Sequence, residues 1–446
     1  MCTSILTVSS VLQSIIPQSM RVNGTFIYAR SASFLSALRP ALAALVTLVC
    51  LLLGAPQVTA QAVFADAGGF RIADDSGNYQ LRIGGDLHSD ARMLLGETPG
   101  ATSSFFVRRA RVLLRGTVQR RFSVQFKSNF GRGQAAVQDA FVDFRLTSGL
   151  SLRTGRFKAP LGLEFLQSPN AIVHVERGYP TAFVANRDVG VQVYGRTLDQ
   201  RLQYNVGLFN GVPDGTSLDI DTGAPKDLIA RLFVEPWRND RTSRWLQGIG
   251  VGIGTSTGVE RGSGGTSGLS TYRTLHGSPL FAYRDDVEAD GERFRIVPQA
   301  YYYAGPLGLI AEYARSQHRV QRGDNSEELD HSAWQLGASW VLTGEDASHD
   351  GVSPASTYNP EAGTWGAFEV SAKAQRFQFD ENAFPRYANP DAEVEHGVSI
   401  AAGLTWYPVR NIRFMTTAER TTFGGTNAAK ARDAEHTVTM RVQVAY

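Results

Sequence analysis

Apolar and polar residues alternate with a period of two along most of this chain, the spacing that places them on opposite faces of an extended strand. Leu81, Ile83, Leu87, Ala91 and Met93 take turns with Arg82, Asp86, His88, Asp90 and Arg92. Ala110, Val112, Leu114, Gly116 and Val118 do the same with Arg109, Arg111, Arg115 and Thr117. The pattern returns at Phe122/Val124/Phe126 and at Leu202/Tyr204/Val206/Leu208. Near the C-terminus it runs through Trp334 to Leu342, Val398 to Trp406 and Val438 to Tyr446. Sixteen segments carry it: 81–93, 106–118, 121–130, 137–146, 150–158, 187–195, 201–210, 228–235, 248–257, 293–303, 307–317, 331–342, 366–376, 397–407, 411–420 and 435–446.

A soluble antiparallel sandwich also alternates. Two features favour a membrane barrel. The polar faces are rich in Arg, Asp, Glu and Gln, which suits a wet lumen, and the strands run to about ten residues, the length that crosses a bilayer at a tilt. Sixteen is even, as a barrel with both termini on one side requires. Gaps after even-numbered segments are short, such as Gln119-Arg120, Ala304-Gly305-Pro306 and Pro408-Val409-Arg410; those after odd-numbered ones are mostly long, such as 159–186, 258–292 and 377–396. The exception is 343–365, a long segment on the side expected to carry short turns. The sequence thus predicts an all-β fold, a 16-stranded antiparallel transmembrane β-barrel.

The start of the chain reads differently. Arg21, Arg30 and Arg39 precede an apolar run from Ala41 to Ala55, and Val58-Thr59-Ala60 supplies small residues before a cut. This predicts a cleaved export signal over 1–60, a short periplasmic segment over 61–80 and a barrel over 81–446. The leader is long, which would suit a start at Met20. Cys50 is followed by Leu51, Leu52 and Leu53, so the apolar core would continue past a lipidated cysteine. Both cysteines, Cys2 and Cys50, fall in the leader, so the mature chain has no thiol chemistry. Of 446 residues 44 are Lys or Arg and 42 Asp or Glu; removing the three leader arginines leaves 41 basic against 42 acidic side chains. Nothing in this balance points to nucleic acid. Composition also favours β-structure, with 45 Gly beside 24 Phe, 15 Tyr and 6 Trp.

Several runs resemble the phosphate-selective porin O/P family of Gram-negative outer membranes. They include Phe106-Val107-Arg108-Arg109-Ala110-Arg111, Asp139-Ala140-Phe141-Val142-Asp143-Phe144, the stretch Arg153 to Glu164, Asn186-Arg187-Asp188-Val189-Gly190-Val191, Gly207-Leu208-Phe209-Asn210-Gly211, Leu336 to Glu345, and Gly403-Leu404-Thr405-Trp406-Tyr407-Pro408. They cover nearly all of 81–446. The resemblance implies a passive trimeric anion channel in the outer membrane with a loop folded inward at its constriction, and no cofactor. It also implies outer-membrane lipid and lipopolysaccharide as surroundings, and inorganic phosphate or similar small anions as solutes. The coiled-coil arm found ahead of some such barrels is not evident, since 61–80 lacks heptads. Independently, the chain ends on an amphipathic strand with an aromatic, Tyr446, the feature read by the outer-membrane assembly machinery.

A channel selects ions through charges lining its narrowest part, where low-dielectric walls focus the field. Parity points Arg82, Arg92, Arg109, Arg111, Arg115, Lys127, Arg145, Arg153, Arg231, Arg295, Arg413 and Arg441 into the lumen, with Asp86, Asp90, Asp139, Asp143, Glu235, Glu312, Glu369 and Glu419. Arg109, Arg111 and Arg115 form a column facing Arg82, Arg92 and Lys127, similar to the arginine ladder of family members. Alternatively these charges pair across strands, Arg109 or Arg111 with Asp86 or Asp90, and only keep the wall wet. Segment 159–186 is the candidate inward loop, with Lys158, Arg177 and Arg187 around the narrow zone. The expected anion path is therefore Arg82, Arg92, Arg109, Arg111, Arg115, Lys127, Arg153, Lys158, Arg177 and Arg187. The mature chain has five Lys (127, 158, 226, 373, 430) beside 36 Arg, so the family's lysine clusters have no counterpart here. A general small-solute porin with weak or no phosphate selectivity is the alternative.

An enzymatic barrel has little support. The eight histidines are scattered, and no HExxH, GxSxG or phosphate loop occurs. Asp86-Leu87-His88-Ser89-Asp90 aligns two acids and a histidine on one face, an arrangement a hydrolase could use. Gly262-Ser263-Gly264-Gly265 reads as a flexible outer loop.

Overall fold

The computed structural model describes residues 62–446 apart from 67, 97–101, 219–225, 241, 243 and 263–265. The expected leader, both cysteines and Ser263 to Gly265 lie outside the described residues. Sixteen antiparallel strands close into one barrel, and each predicted segment falls on one of them. In chain order they are β1 (Tyr79–Leu94), β2 (Ser104–Val118), β3 (Phe122–Asn129), β4 (Ala136–Arg145), β5 (Ser151–Lys158), β6 (Arg187–Thr197), β7 (Leu202–Phe209) and β8 (Asp227–Val234). Then follow β9 (Ile249–Arg261), β10 (Glu288–Ala304), β11 (Leu307–Arg322), β12 (Asn325–Val341), β13 (Ala367–Gln378), β14 (His396–Val409), β15 (Ile412–Gly424) and β16 (Glu435–Ala445).

Closure comes from β16 lying against β1, Thr437 opposite Leu94 and Ala445 opposite Asp86. Tyr446 N donates to Gly85 O at 3.0 Å, and Gly85 N donates to Tyr446 O at 2.8 Å. A closed ladder leaves no sheet edge in hydrocarbon, where each unpaired backbone group costs several kcal/mol. Alternation supplies the faces: Leu87, Val206, Leu208, Leu336, Ile400 and Met440 are exposed on the outer wall, while Asp86, Asp90, Arg295, Gln375 and Arg441 are buried inside. The segment 61–80, read from the sequence as a short periplasmic stretch without heptads, contributes a hairpin of Ala62–Asp66 and Gly69–Ala73. Its second strand pairs with the lower end of β1, Phe70 opposite Ile83.

Two expectations need correction. Residues 318–330 do not form an open loop: β11 and β12 continue to Arg322 and Asn325, which face each other across a tight turn at Gly323-Asp324. Nor is the inner face uniformly polar. Val297, Ala314, Val320, Leu329, Ala333 and Phe377 point inward from β10 to β13 and are fully buried. They pack on Tyr179 and Phe183 of segment 159–186, Tyr272 and Phe281 of 262–287, and Phe379 and Tyr387 beyond β13. Phe281 stacks on Phe379 at 4.5 Å between ring centroids, and Tyr179 meets Phe377 edge-on at 4.8 Å. Folded-in loops thus fill the β10–β13 side of the lumen with an apolar core.

Candidate functional site

Segment 159–186 crosses the lumen, as expected, and charged side chains hold it there. Its α-helical turn, Leu163–Leu166, leaves amides unpaired at its start and carbonyls at its end. Glu312 of β11 accepts from Leu163 N at 2.7 Å and Glu164 N at 3.3 Å. Lys158, the last residue of β5, donates from Nζ to the carbonyls of Phe165, Leu166 and Gln167 at 2.7, 3.1 and 3.0 Å. Arg177 bonds Glu164 O and Gln167 O, each at 2.9 Å. Beyond the turn, Tyr179 N donates to Gln375 Oε1 at 3.0 Å, Val175 N to Thr417 Oγ1 at 3.2 Å, and Arg441 Nη1 to Val175 O at 2.7 Å. The loop is therefore tied to the wall opposite the strand it leaves.

The long segment between β12 and β13 rises from the other end to meet it. Gln167 Nε2 donates to His349 O at 2.7 Å, and the His349 ring stacks on Tyr301 at 5.2 Å. Burial pushes the His349 imidazole down to about 4, so it is neutral at pH 7.

Two chambers remain open beside these loops. The upper, toward the long loops, holds about 440 Å³ and the lower about 580 Å³; Arg111, Lys158, Pro169 and Arg187 line both and so mark the neck between them. Among the described residues the upper chamber is lined by Arg108, Arg109, Arg111, Lys158, Arg177, Arg187 and Arg273 against two acids, Glu176 and Asp214. Arg111, Arg115, Lys127, Arg153, Lys158, Arg187, Arg196 and Arg231 line the lower against Asp139 and Asp350.

Some of these cations are neutralised in place. Arg111 Nε lies 2.7 Å from Asp86 Oδ1, Arg187 Nε 2.8 Å from Asp139 Oδ1, and Lys127 Nζ 3.8 Å from Asp139 Oδ2. Arg153 bonds both oxygens of Asp143 at 2.7 and 2.8 Å while covering the Phe141 ring at 4.0 Å. Others rest on neutral groups. Arg109 Nη1 sits 3.3 Å from His88 Nδ1, Arg115 Nε donates to Gln125 at 3.1 Å, and Arg231 Nε donates to Gln299 at 2.9 Å. Of the pairings expected for Arg109 or Arg111, Arg111 takes Asp86, while Asp90 belongs to Arg441, which holds both its oxygens at 2.7 Å. Burial pulls the Arg177 guanidinium down to about 10, opposed by Glu164 and assisted by Arg187, so it stays charged at neutral pH.

Eight of the ten expected path residues line a chamber: Arg109, Arg111, Arg115, Lys127, Arg153, Lys158, Arg177 and Arg187. Arg82 and Arg92 line neither. Arg82 sits at the short-turn mouth opposite Arg115 in register, with Arg71 on its other side. Arg92, expected to face the column, lies opposite Ser104 instead and donates to His276 O while covering the Phe106 ring. His88 is fully buried, with Nε2 2.9 Å from Asn170 Oδ1 of the inward loop and 3.5 Å from Asp86 Oδ1.

Parity missed Arg108. The register shifts between His88, opposite Arg109, and Ser89, opposite Val107, so Arg108 is the extra residue of a β-bulge. Two consecutive guanidiniums consequently reach the upper chamber. Arg108 bonds Glu176 at 2.9 and 3.1 Å. Burial works against that carboxylate, but Arg108, Arg441 and Arg109 outweigh it and hold Glu176 well below the usual range. The signal available in the sequence was the doubled Arg108-Arg109, which strict alternation cannot accommodate.

The family model for phosphate-selective porin O and P matches residues 81–236 and 278–446. No curated protein matches the chain significantly. Among solved structures, OmpF of Salmonella typhi in complex with daunomycin is 12% identical with a TM-score of 0.53, covering 83% of this chain and 98% of its own. DcaP, an outer-membrane channel of Acinetobacter baumannii, gives 11%, 0.51, 84% and 99%. OmpT of Vibrio cholerae in its trimer form gives 12%, 0.50, 82% and 99%.

Proposed function

This chain belongs to the phosphate-selective porin O and P family, and from that premise we propose that its barrel is an anion-preferring passive channel for phosphate or similar small anions. The observation that carries this reading is the excess of basic over acidic side chains in both chambers, continuous through Arg111, Lys158 and Arg187 at the neck. A low-dielectric wall strengthens that field, and a column of guanidiniums offers planar, bidentate contacts to an oxyanion. Arg109, Arg115 and Arg231, resting on neutral partners, supply the charge that the carboxylates leave uncancelled. Arg111, Lys127, Arg153, Lys158, Arg177 and Arg187 complete the path, with Lys158 and Arg177 acting chiefly as anchors of the loop that narrows it.

One observation favours a general porin with weak phosphate selectivity: Arg108, Arg111, Arg153 and Arg187 already hold carboxylates. Titrating phosphate into a channel carrying chloride current separates the two. Block that saturates at sub-millimolar phosphate supports the phosphate path, whereas current unaffected up to tens of millimolar supports the general porin.

The same proposal places the mature chain as a homotrimer, the form in which the Vibrio cholerae neighbour was solved. It is exported by a cleaved signal over 1–60, recognised by the assembly machinery through Tyr446, and surrounded by lipid and lipopolysaccharide.

A further inference from the structure

The upper chamber is not lined by cations alone. Gln138, Thr181 and Asn186 stand on the same wall as Arg108, Arg109 and Arg177. Among the described residues, Gln138 Oε1, Thr181 Oγ1 and Asn186 Oδ1 are each buried without a hydrogen-bond partner. A buried acceptor left unpaired carries its full desolvation cost, so a wall bearing three invites a donor from outside the protein. The orientation of Asn186 is fixed, because its Nδ2 donates to Gly215 O at 2.7 Å and its oxygen is the end left over. Gln138 owes its place to a second β-bulge. Lys127 lies opposite Asp139 and Ser128 opposite Val137, so Gln138 is the extra residue of β4, released from the ladder beside the chamber.

Chloride brings no donor, and an ionised carboxylate, which only accepts, brings none either. A solute that satisfies this wall needs an anionic group for the guanidiniums and several hydroxyls for the three acceptors. The chamber's volume of about 440 Å³ falls within the range of roughly 300–1,000 Å³ usual for small-molecule sites. We propose that the upper chamber prefers polyhydroxylated organic anions, such as sugar phosphates or sugar acids, over bare anions of equal charge. This rests on the reading of the lumen as an anion path. The two solute classes share one chemistry, a hydroxylated carbon chain ending in an anionic head.

The test uses the purified mature barrel in planar bilayers. Its reversal potential in a KCl gradient is recorded first, then the half-blocking concentrations of two matched pairs: glucose 6-phosphate with inorganic phosphate, and gluconate with hexanoate. The expected result is an anion-directed potential with half-block about five- to ten-fold lower for the hydroxylated member of each pair. A preference within one pair alone identifies which head group, phosphate or carboxylate, the chamber accepts. The ratio within each preferred pair should fall toward one in Gln138→Leu and, separately, in Thr181→Val, a change of similar shape that removes only the hydroxyl. An anion-directed potential with equal block within both pairs overturns this inference and leaves the anion channel standing. A preference that survives both substitutions overturns the assignment to this wall. A cation-directed potential overturns the anion path and this inference with it.

Discussion

Arg441 shows how much of this barrel rests on single side chains. Its guanidinium and the Asp90 carboxylate are both fully buried, joined by two hydrogen bonds of 2.7 Å. Removing one member leaves a buried charge without its partner, which costs about 3–5 kcal/mol, whereas an apolar pair of similar volume can be neutral. Arg441→Leu should therefore lower the stability of the barrel by about 3–5 kcal/mol in urea unfolding from lipid vesicles. The double variant Arg441→Leu/Asp90→Leu should recover most of that loss; equal losses in both would assign the effect to packing instead. Arg111 makes the complementary case for selectivity. Asp86 cancels part of its charge from 2.7 Å, so Asp86→Asn should raise the chloride-to-potassium permeability ratio and Arg111→Gln should lower it. At this scale the sequence was legible wherever alternation held, which gave Arg109, Arg111, Arg115 and Lys127 their inward direction. At Arg108 the doubled Arg108-Arg109 was the one local signal, and parity could not use it, because a bulge adds one residue to a strand and every position beyond it changes face.

At the scale of elements, the loop over 159–186 is positioned by contacts that sequence spacing could not reveal. Glu312 lies about 150 positions from the amides it caps, Leu163 and Glu164. It reaches them because β11 stands across the lumen from β5. Replacing it with Ala removes both acceptor oxygens, so Glu312→Ala should loosen the turn, raise single-channel chloride conductance and add open-channel noise. Unchanged conductance would mean that Lys158 and Arg177 hold the loop unaided. The sixteen strands were legible because each must solve the same problem, one face to lipid and one to the interior. The inward placement of 159–186 was legible in part, from its length and its apolar residues. The excursion of 343–365 was visible as an irregularity, while its contact with Gln167 through His349 was not, because nothing local to either segment specifies the other. The apolar inner face at Val297, Ala314, Val320 and Leu329 escaped parity for a related reason. Alternation tells the inside from the outside, and it does not tell a water-filled interior from one filled by a folded loop.

For the whole molecule, these features divide the lumen. One side is packed solid around Phe281, Phe377 and Phe379, and the other keeps two chambers joined at Arg111, Lys158 and Arg187. Closure of β16 on β1 makes the wall stiff enough to hold unlike charges in a fixed pattern, and the inner loops bring that pattern to a neck. Residues 61–446 hold 41 basic and 42 acidic side chains and are nearly neutral. Any anion preference must therefore come from placement, with bases outnumbering acids along the chambers. The reversal potential of the purified mature barrel in a planar bilayer under a KCl gradient tests this most directly. The account predicts a potential directed toward the chloride equilibrium value, reduced by Arg109→Gln and by Arg115→Gln. A potential directed toward the potassium value would contradict it, because the carboxylates along the passage, led by Asp139 and Glu176, would then govern the field.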